Sequence, residues 1–246
     1  MDLYGFHSIS ALLQQAPKSI LKLILDKDRQ DKRIHSLLEL ARVHKIVVEE
    51  LNSAQLDAIA HNGKHQGVIA IIEDALPQLS FKELLVHLAQ LEQASIMVLD
   101  GITDPHNLGA IIRSCECFGV AAVILPKDNS AQLNATVAKV AAGALSFIPV
   151  VVVNNLTRAL EQLQEHDFWV AGTTLDTRSV PLFDFKPAKR MAWVLGSEGS
   201  GIRRLVAESC DYLVSIPMYG QTQSLNVSVA AGVVLSYAKY LSVDRG

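Results

Sequence analysis

Ala192-Trp193-Val194-Leu195-Gly196-Ser197-Glu198-Gly199-Ser200-Gly201 decides the fold class of this 246-residue chain. Four apolar residues in an unbroken row run straight into a loop in which three of six residues are glycine. A strand with one wet face would alternate polar and apolar residues. A short continuous apolar run suits a strand buried on both faces, as in a parallel sheet with helices on either side. The loop that follows such a strand is where α/β sheets place their ligands. Moving outward, the pattern repeats at residues 96–99, 121–125, 148–153 and 169–171, and a further strand is read at 213–216, leading into Pro217. Helical stretches at 108–118, 133–142, 156–165 and 203–209 separate these runs. Strand–helix alternation predicts an α/β domain with a mostly parallel sheet. A last helix, 225–241, is apolar nearly all round and is expected to be buried by the core or by a partner subunit.

The period differs upstream. Helical signals at 7–16, 31–44 and 54–60 alternate with strand signals at 20–25, 46–48 and 67–72, and Ile34, Leu37, Leu38 and Ala41 fall at helical spacing. This predicts a small α/β unit over 1–74, a linker over 75–93 that contains Pro77 and a helix at 81–91, and a main domain over 94–246.

Composition narrows the function classes. With 50% hydrophobic and 19% charged residues the chain has ample material for a core, and disorder is excluded. Net charge is −3, and over 1–74 acids exceed bases by about one, so any nucleic-acid contact rests on local basic groups. The opening Met1-Asp2-Leu3-Tyr4-Gly5 shows neither a basic nor an apolar leader region. No apolar run approaches the ~20 residues of a membrane helix. Three cysteines, Cys115, Cys117 and Cys210, point to free thiols in a reducing cytoplasm. Cys115 and Cys117 would fall on different helix faces and no zinc-like spacing accompanies them, so no metal is expected.

Three polar islands interrupt the apolar half. In 196–201 the glycines occupy the first, fourth and sixth positions, which is not the dinucleotide fingerprint, and no Lys-Ser/Thr follows as in a phosphate-cradling loop. Glu198 would repel phosphates and suits an amine, a sulfonium or a base edge; otherwise it is a solvated residue in a tight turn. In 104–113, Asn107, Ala110 and Arg113 lie along one helix face. There a guanidinium can hold a phosphate or a developing oxyanion, or else pair with Glu116. The third island runs from Ile216-Pro217-Met218 through Ser224-Leu225-Asn226-Val227-Ser228. It offers open backbone N–H groups at a helix start, where Ser224 or Asn226 alternatively serves only as a cap.

Asn107-Leu108-Gly109 with Arg113 and Phe118-Gly119, then 195–201, then 216–218 with 224–230, resemble in order and separation the three motifs of the SpoU family of RNA ribose 2′-O-methyltransferases. The resemblance covers nearly the whole chain. Tyr4-Gly5-Phe6-His7, His65-Gln66-Gly67 and the run 126–136 look like the members that act on a guanosine of bacterial 23S rRNA. It implies a SPOUT-type parallel sheet with a C-terminal trefoil knot, which topology rules alone make improbable, and a ribosomal-protein-like RNA-binding unit at the N-terminus. It implies S-adenosylmethionine at Gly196, Ile216 and Leu225, with Thr173 a further candidate near the adenine. Arg113, Asn107, Glu198 and Asn226 become the catalytic group. Lys27, Arg29, Lys32 and Arg33 form a local basic cluster for RNA phosphates, unless Asp26, Asp28 and Asp31 merely balance a solvated face. Family members are dimers, so a cytoplasmic homodimer joined through the knotted domain is expected, with 23S rRNA as partner and no membrane. The implied target is a guanosine of the peptidyl-transferase P loop. The family assigns Arg113 the role of base. A guanidinium titrates above ~12, so a cation that lowers the hydroxyl's pKa and holds the adjacent phosphate fits the chemistry better. Two alternatives remain open from the sequence: a tRNA ribose 2′-O-methyltransferase, and a non-catalytic RNA-binding protein of the same fold. A nicotinamide oxidoreductase fails on the glycine spacing.

Overall fold

The computed structural model describes residues 2–15, 17–29, 31–60, 65–72, 79–222 and 224–243. The chain divides into two compact units, Met1–Pro77 and Gln78–Gly246. Of the segment 75–93 expected between the domains, residues 75–78 lie outside the described residues and 79–93, with the helix expected there, fall in the second unit.

The first unit contains β1 (Asp2–Tyr4), α1 (Phe6–Gln15), β2 (Ile20–Asp26), α2 (Lys32–Val43), β3 (Val47–Leu51), α3 (Ser53–Ala60) and β4 (Val68–Ile72). The strands form one sheet in the order β1-β4-β2-β3, with β2/β3 parallel and both pairs to β4 antiparallel. Leu23 and Leu25 of β2 face a cluster with Ile9, Leu12, Leu13, Leu37 and Ala41 of α1 and α2. Ile24, between them, packs on the other side with Leu56, Ala60 and Ile69. The sheet is therefore covered on both faces, as strand alternation requires. β1 escaped the sequence reading. It is a three-residue edge strand, too short to show a period.

The second unit contains α4 (Phe81–Leu88), β5 (Ala94–Asp100), α5 (Pro105–Cys117), β6 (Ala122–Pro126), α6 (Ala135–Ala141), β7 (Val150–Val153), α7 (Leu156–Gln164), β8 (Trp169–Thr173), β9 (Val180–Pro181), β10 (Arg190–Gly196), α8 (Arg204–Glu208), β11 (Tyr212–Ser215) and α9 (Val227–Val243). All seven strands are parallel, in the order β7-β6-β5-β10-β8-β11-β9. The apolar runs become the central strands. Ile96, Val98, Ala192 and Val194 point into a cluster with Leu84, Leu88, Leu160, Leu163 and Val206 of α4, α7 and α8. Met97, Leu99, Trp193 and Leu195 alternate to the opposite face and are equally buried. Each such side chain removed from water contributes about 1.5–3 kcal/mol. The two-residue β9 was not foreseen, since a dipeptide carries no period.

The chain builds outward from β5 through β6 to β7, then returns to lay β8 and β11 on the other side, with β10 inserted between β5 and β8. This reversal of direction is the point at which open α/β sheets leave a crevice beyond their carboxyl ends. The loops after β5, β8, β10 and β11 all open at that edge.

Candidate active site

α5 begins where it does because Asp104 caps it: its Oδ1 accepts from His106 N–H at 3.0 Å, and Pro105 fills the first turn. That start places Asn107 at the mouth of the sheet. Gly109, one turn in, lets α6 approach. A Cβ there would lie 2.7 Å from Val140 Cβ and 2.9 Å from the Val137 carbonyl oxygen. After β10, the turn 197–201 closes on itself through Ser197 N–H to Gly201 O (3.1 Å), Gly201 N–H to Ser197 O (2.9 Å) and a contact of the Ser197 and Ser200 hydroxyls (2.7 Å). Gly196 permits this closure. A Cβ on it would sit 2.0 Å from the Gly201 carbonyl carbon, an overlap no side chain survives. Asn226, just ahead of α9, accepts from Ser228 N–H (2.9 Å) and Ser228 Oγ (2.6 Å), and so caps the helix.

These three loops are fastened to one another by side chains. Asn107 Nδ2 donates to Glu198 Oε1 at 3.1 Å, Asn226 Nδ2 donates to Asn107 Oδ1 at 3.0 Å and also to Glu198 Oε1, and Val227 N–H reaches the same oxygen at 3.3 Å. Asn226 therefore serves as cap and site residue together, its oxygen turned to the helix and its nitrogen to the cluster. Glu198 is no solvated turn residue: Oε1 collects three N–H donors, while Oε2 has no partner among the described residues.

A cavity of about 330 Å³ opens beside this cluster, lined by 173–175, 195–201, 216, 218, 224, 225, 227 and 230. Thr173, Gly196, Ile216 and Leu225 all belong to its wall. Thr173 Oγ donates to the Val194 carbonyl at 3.0 Å. Leu175 and Met218 add apolar surface, and the space before the α-carbons of Gly199 and Gly201 is open. Arg113 stands apart. It lies six residues beyond Asn107 on α5, is exposed, does not line the cavity, and pairs neither with Glu116 nor with any other described residue.

The basic cluster of the first unit separates into two kinds of residue. Arg29 is engaged: Nε donates to Asp31 Oδ2 at 3.0 Å, a terminal nitrogen reaches the same oxygen at 2.5 Å, and the other donates to the Gln66 carbonyl. The Arg29 guanidinium holds the Asp31 carboxyl below its ordinary pKa, helped by the N–H groups of Ile34 and Arg33 at the start of α2. Lys27 and Lys32 are exposed and have no side-chain partner among the described residues, and Arg33 lies 5.7 Å from the centre of the Phe6 ring. Asp26 is buried and receives the Asp28 N–H at 3.1 Å, so it does not balance a surface lysine.

Neither the buried Cys115 nor the half-buried Cys210 is an activated nucleophile. Burial pushes Cys115 far up, and burial with the charges of Asp211 and Asp100 pushes Cys210 to about 12. Among the described residues no three His, Cys, Asp or Glu side chains gather as a metal site, and no helix is long and apolar enough to cross a membrane.

Residues 94–236 match the SpoU rRNA Methylase family, and residues 3–78 match the RNA 2′-O ribose methyltransferase substrate-binding family. The chain is 45% identical to the 23S rRNA (guanosine-2′-O-)-methyltransferase RlmB of Neisseria meningitidis, across 95% of this chain and 92% of that protein. It is 44% identical to the protein of the same name from Escherichia coli, across 95% of each. The SpoU methyltransferase AviRb of Streptomyces viridochromogenes shares the fold with a TM-score of 0.80 at 22% identity, covering 100% of this chain and 90% of that one. Its complex with AdoMet gives 0.76 at 22% identity, covering 99% and 91%. With both units matched in order and nearly the whole length aligned, the chain belongs to the SpoU rRNA methylase family.

Proposed function

We propose that this protein transfers the methyl group of S-adenosylmethionine to the ribose 2′-hydroxyl of a guanosine in 23S rRNA. One observation carries the reading. The loops after β5, β10 and β11 converge, and Asn107, Glu198 and Asn226 tie them together beside a single cavity. The relatives named as 23S rRNA guanosine 2′-O-methyltransferases align across both units.

The residues present fit the cofactor. About 330 Å³ is within the range of small-molecule sites. The wall combines apolar Leu175, Ile216, Met218 and Leu225 for a flat base with open backbone at Gly199 and Gly201, and the Glu198 carboxylate favours a cation. Gly196, Ile216, Leu225 and Thr173 would hold it. When bound, S-adenosylmethionine supplies a methyl group on a sulfonium, an electrophile that needs no metal.

The ribose hydroxyl is a poor nucleophile and must lose its proton as it attacks. Arg113, an exposed cation with no described partner, holds the phosphate next to the target ribose. It lowers the cost of the developing alkoxide while staying protonated, and the proton leaves to water. Asn107, Glu198 and Asn226 orient the ribose against the cavity. Lys27, Lys32 and Arg33 contact phosphates of the RNA, with Arg29 shaping their turn.

The guanosine lies in the peptidyl-transferase P loop, and the reaction takes place in the cytoplasm, where ribosomal RNA is made and used. Two copies associate through α9. The helix buries Val227, Ala231, Val234 and Leu235 but leaves Val229 and Tyr240 exposed at 51% and 65%, an apolar surface that a second copy would cover. The segment after β11 is knotted, in keeping with the family resemblance.

Labelled S-adenosylmethionine offered with unmodified 23S rRNA, and separately with unmodified tRNA, tests this. Label recovered as 2′-O-methylguanosine in rRNA is expected. Label in tRNA alone reassigns the substrate, and label in neither, from folded protein with rRNA or with assembling subunits, returns the chain to a binding role.

A further inference from the structure

Asp26, His65 and Asp100 are the buried polar or charged side chains of the described residues, and Asp100 is the most enclosed, its side chain 0% exposed. It ends β5, beside Gly196 in the parallel register. Both its oxygens are used, and by one residue: Oδ2 accepts Arg203 N–H at 2.8 Å and Oδ1 accepts Arg203 Nε at 2.7 Å. A buried carboxylate without such partners would be costly, so the pair is held tightly. Neither residue lines the cavity.

Arg203 stands two residues after the 197–201 turn. That turn is closed by its own hydrogen bonds, so its position is set at its two ends. One end is Gly196 in β10. The other is Arg203, clamped to β5 through backbone and side chain together. Between them, Gly201 and Ile202 press on the Gly196 α-carbon so closely that a Cβ would lie 2.0–2.2 Å from their backbone atoms. The same turn carries Glu198 toward Asn107 and Asn226.

We propose that Asp100 and Arg203 are positioning residues: by fixing the far end of the 196–201 loop against β5 they set the shape of the cofactor cavity, and hence its affinity, without touching the cofactor. The proposal rests on the methyltransferase reading above.

The test compares wild type, Arg203→Ala, Arg203→Lys and the double variant Asp100→Asn/Arg203→Ala, with S-adenosylhomocysteine binding by calorimetry, steady-state kinetics and Tm. Arg203→Ala should weaken S-adenosylhomocysteine binding and raise KM for S-adenosylmethionine about 10–100-fold, the range for losing charge-assisted hydrogen bonds. kcat at saturating cofactor should stay within a few-fold, and Arg203→Lys should recover part of the affinity. The double variant removes the stranded buried charge and should regain Tm but not affinity. Unchanged affinity in folded Arg203→Ala overturns the proposal. So does a double variant that regains affinity together with Tm, which would make the pair merely structural. If Arg203→Ala does not fold, Arg203→Lys and the double variant decide by the same criteria. Failure of the wild type to bind S-adenosylhomocysteine would instead refute the function on which the proposal depends.

Discussion

The strand-end cluster of the second unit and the basic turn of the first both concentrate polar side chains, yet they spend them differently. Around the cavity, Asn107, Glu198 and Asn226 bond to one another, and the cation further along α5, Arg113, is left without a described partner. In the turn at 27–33 it is Arg29 that is consumed, by Asp31 and the Gln66 carbonyl, while Lys27 and Lys32 stay unpaired. A charge that the protein already satisfies holds the protein together. A charge that it leaves unsatisfied in the open is available to a polyanion. The difference sorts residues that look alike in sequence into two roles.

Arg113→Ala is the sharpest way to break this comparison. It should lower kcat about 10²–10³-fold, as for loss of an oxyanion-stabilising donor, with Tm unchanged because the side chain holds nothing in place. A fall in Tm with retained turnover would move Arg113 into the structural class.

A smaller effect is expected within the bonded cluster. Glu198→Ala and Asn226→Ala should each reduce kcat/KM about 10–100-fold, since each strands the amides or the carboxylate it served. The double variant should be far from additive, because the residues act as one unit. Additive losses would mean that they work independently of their mutual bonds.

The smallest effects belong to the first unit. Lys27→Ala, Lys32→Ala and Arg33→Ala should each weaken rRNA binding several-fold and reduce its salt dependence by about 0.7–0.9 in the log–log slope per contact. Arg29→Ala should leave that slope nearly intact and instead lower the stability of the unit near neutral pH, by a margin that closes in acid. The sign follows from the pKa. The Asp31 carboxyl is depressed in the folded chain by Arg29, so its contribution is present above its ordinary value of 3.8 and is lost as pH falls through the lower folded value. Melts followed by circular dichroism should show wild type more stable than Arg29→Ala near neutral pH, with the gap closing as pH falls through that window. Coincident curves would show that the ion pair holds nothing.

Much of this was legible in the chain alone. Runs such as 96–99 and 192–195 predict parallel, doubly covered strands because a buried strand has no wet face to alternate toward. The glycine spacing of 196–201 and the lack of a following Lys-Ser/Thr rule out two nucleotide classes, and the three motifs in order carry the family. The family resemblance points to Gly196, Ile216 and Leu225, with Thr173 a further candidate, and all four line the one cavity described above.

Tertiary structure decided the rest, because hydrogen-bond partners across a sheet have no sequence signature. Asn107 and Asn226 stand 119 positions apart and Arg203 and Asp100 stand 103 apart, and no periodicity links either pair. Asp100 carried one faint signal, an acid ending a buried apolar run, but its partner could only be found in space. Arg29 and Lys32 were equal candidates until folding brought Asp31 and Gln66 to one of them and to the other nothing. Residue types set which chemistry this protein can perform, through burial and local backbone preference. The fold chose which of those residues are free to perform it, because only proximity determines which donors and charges are already satisfied.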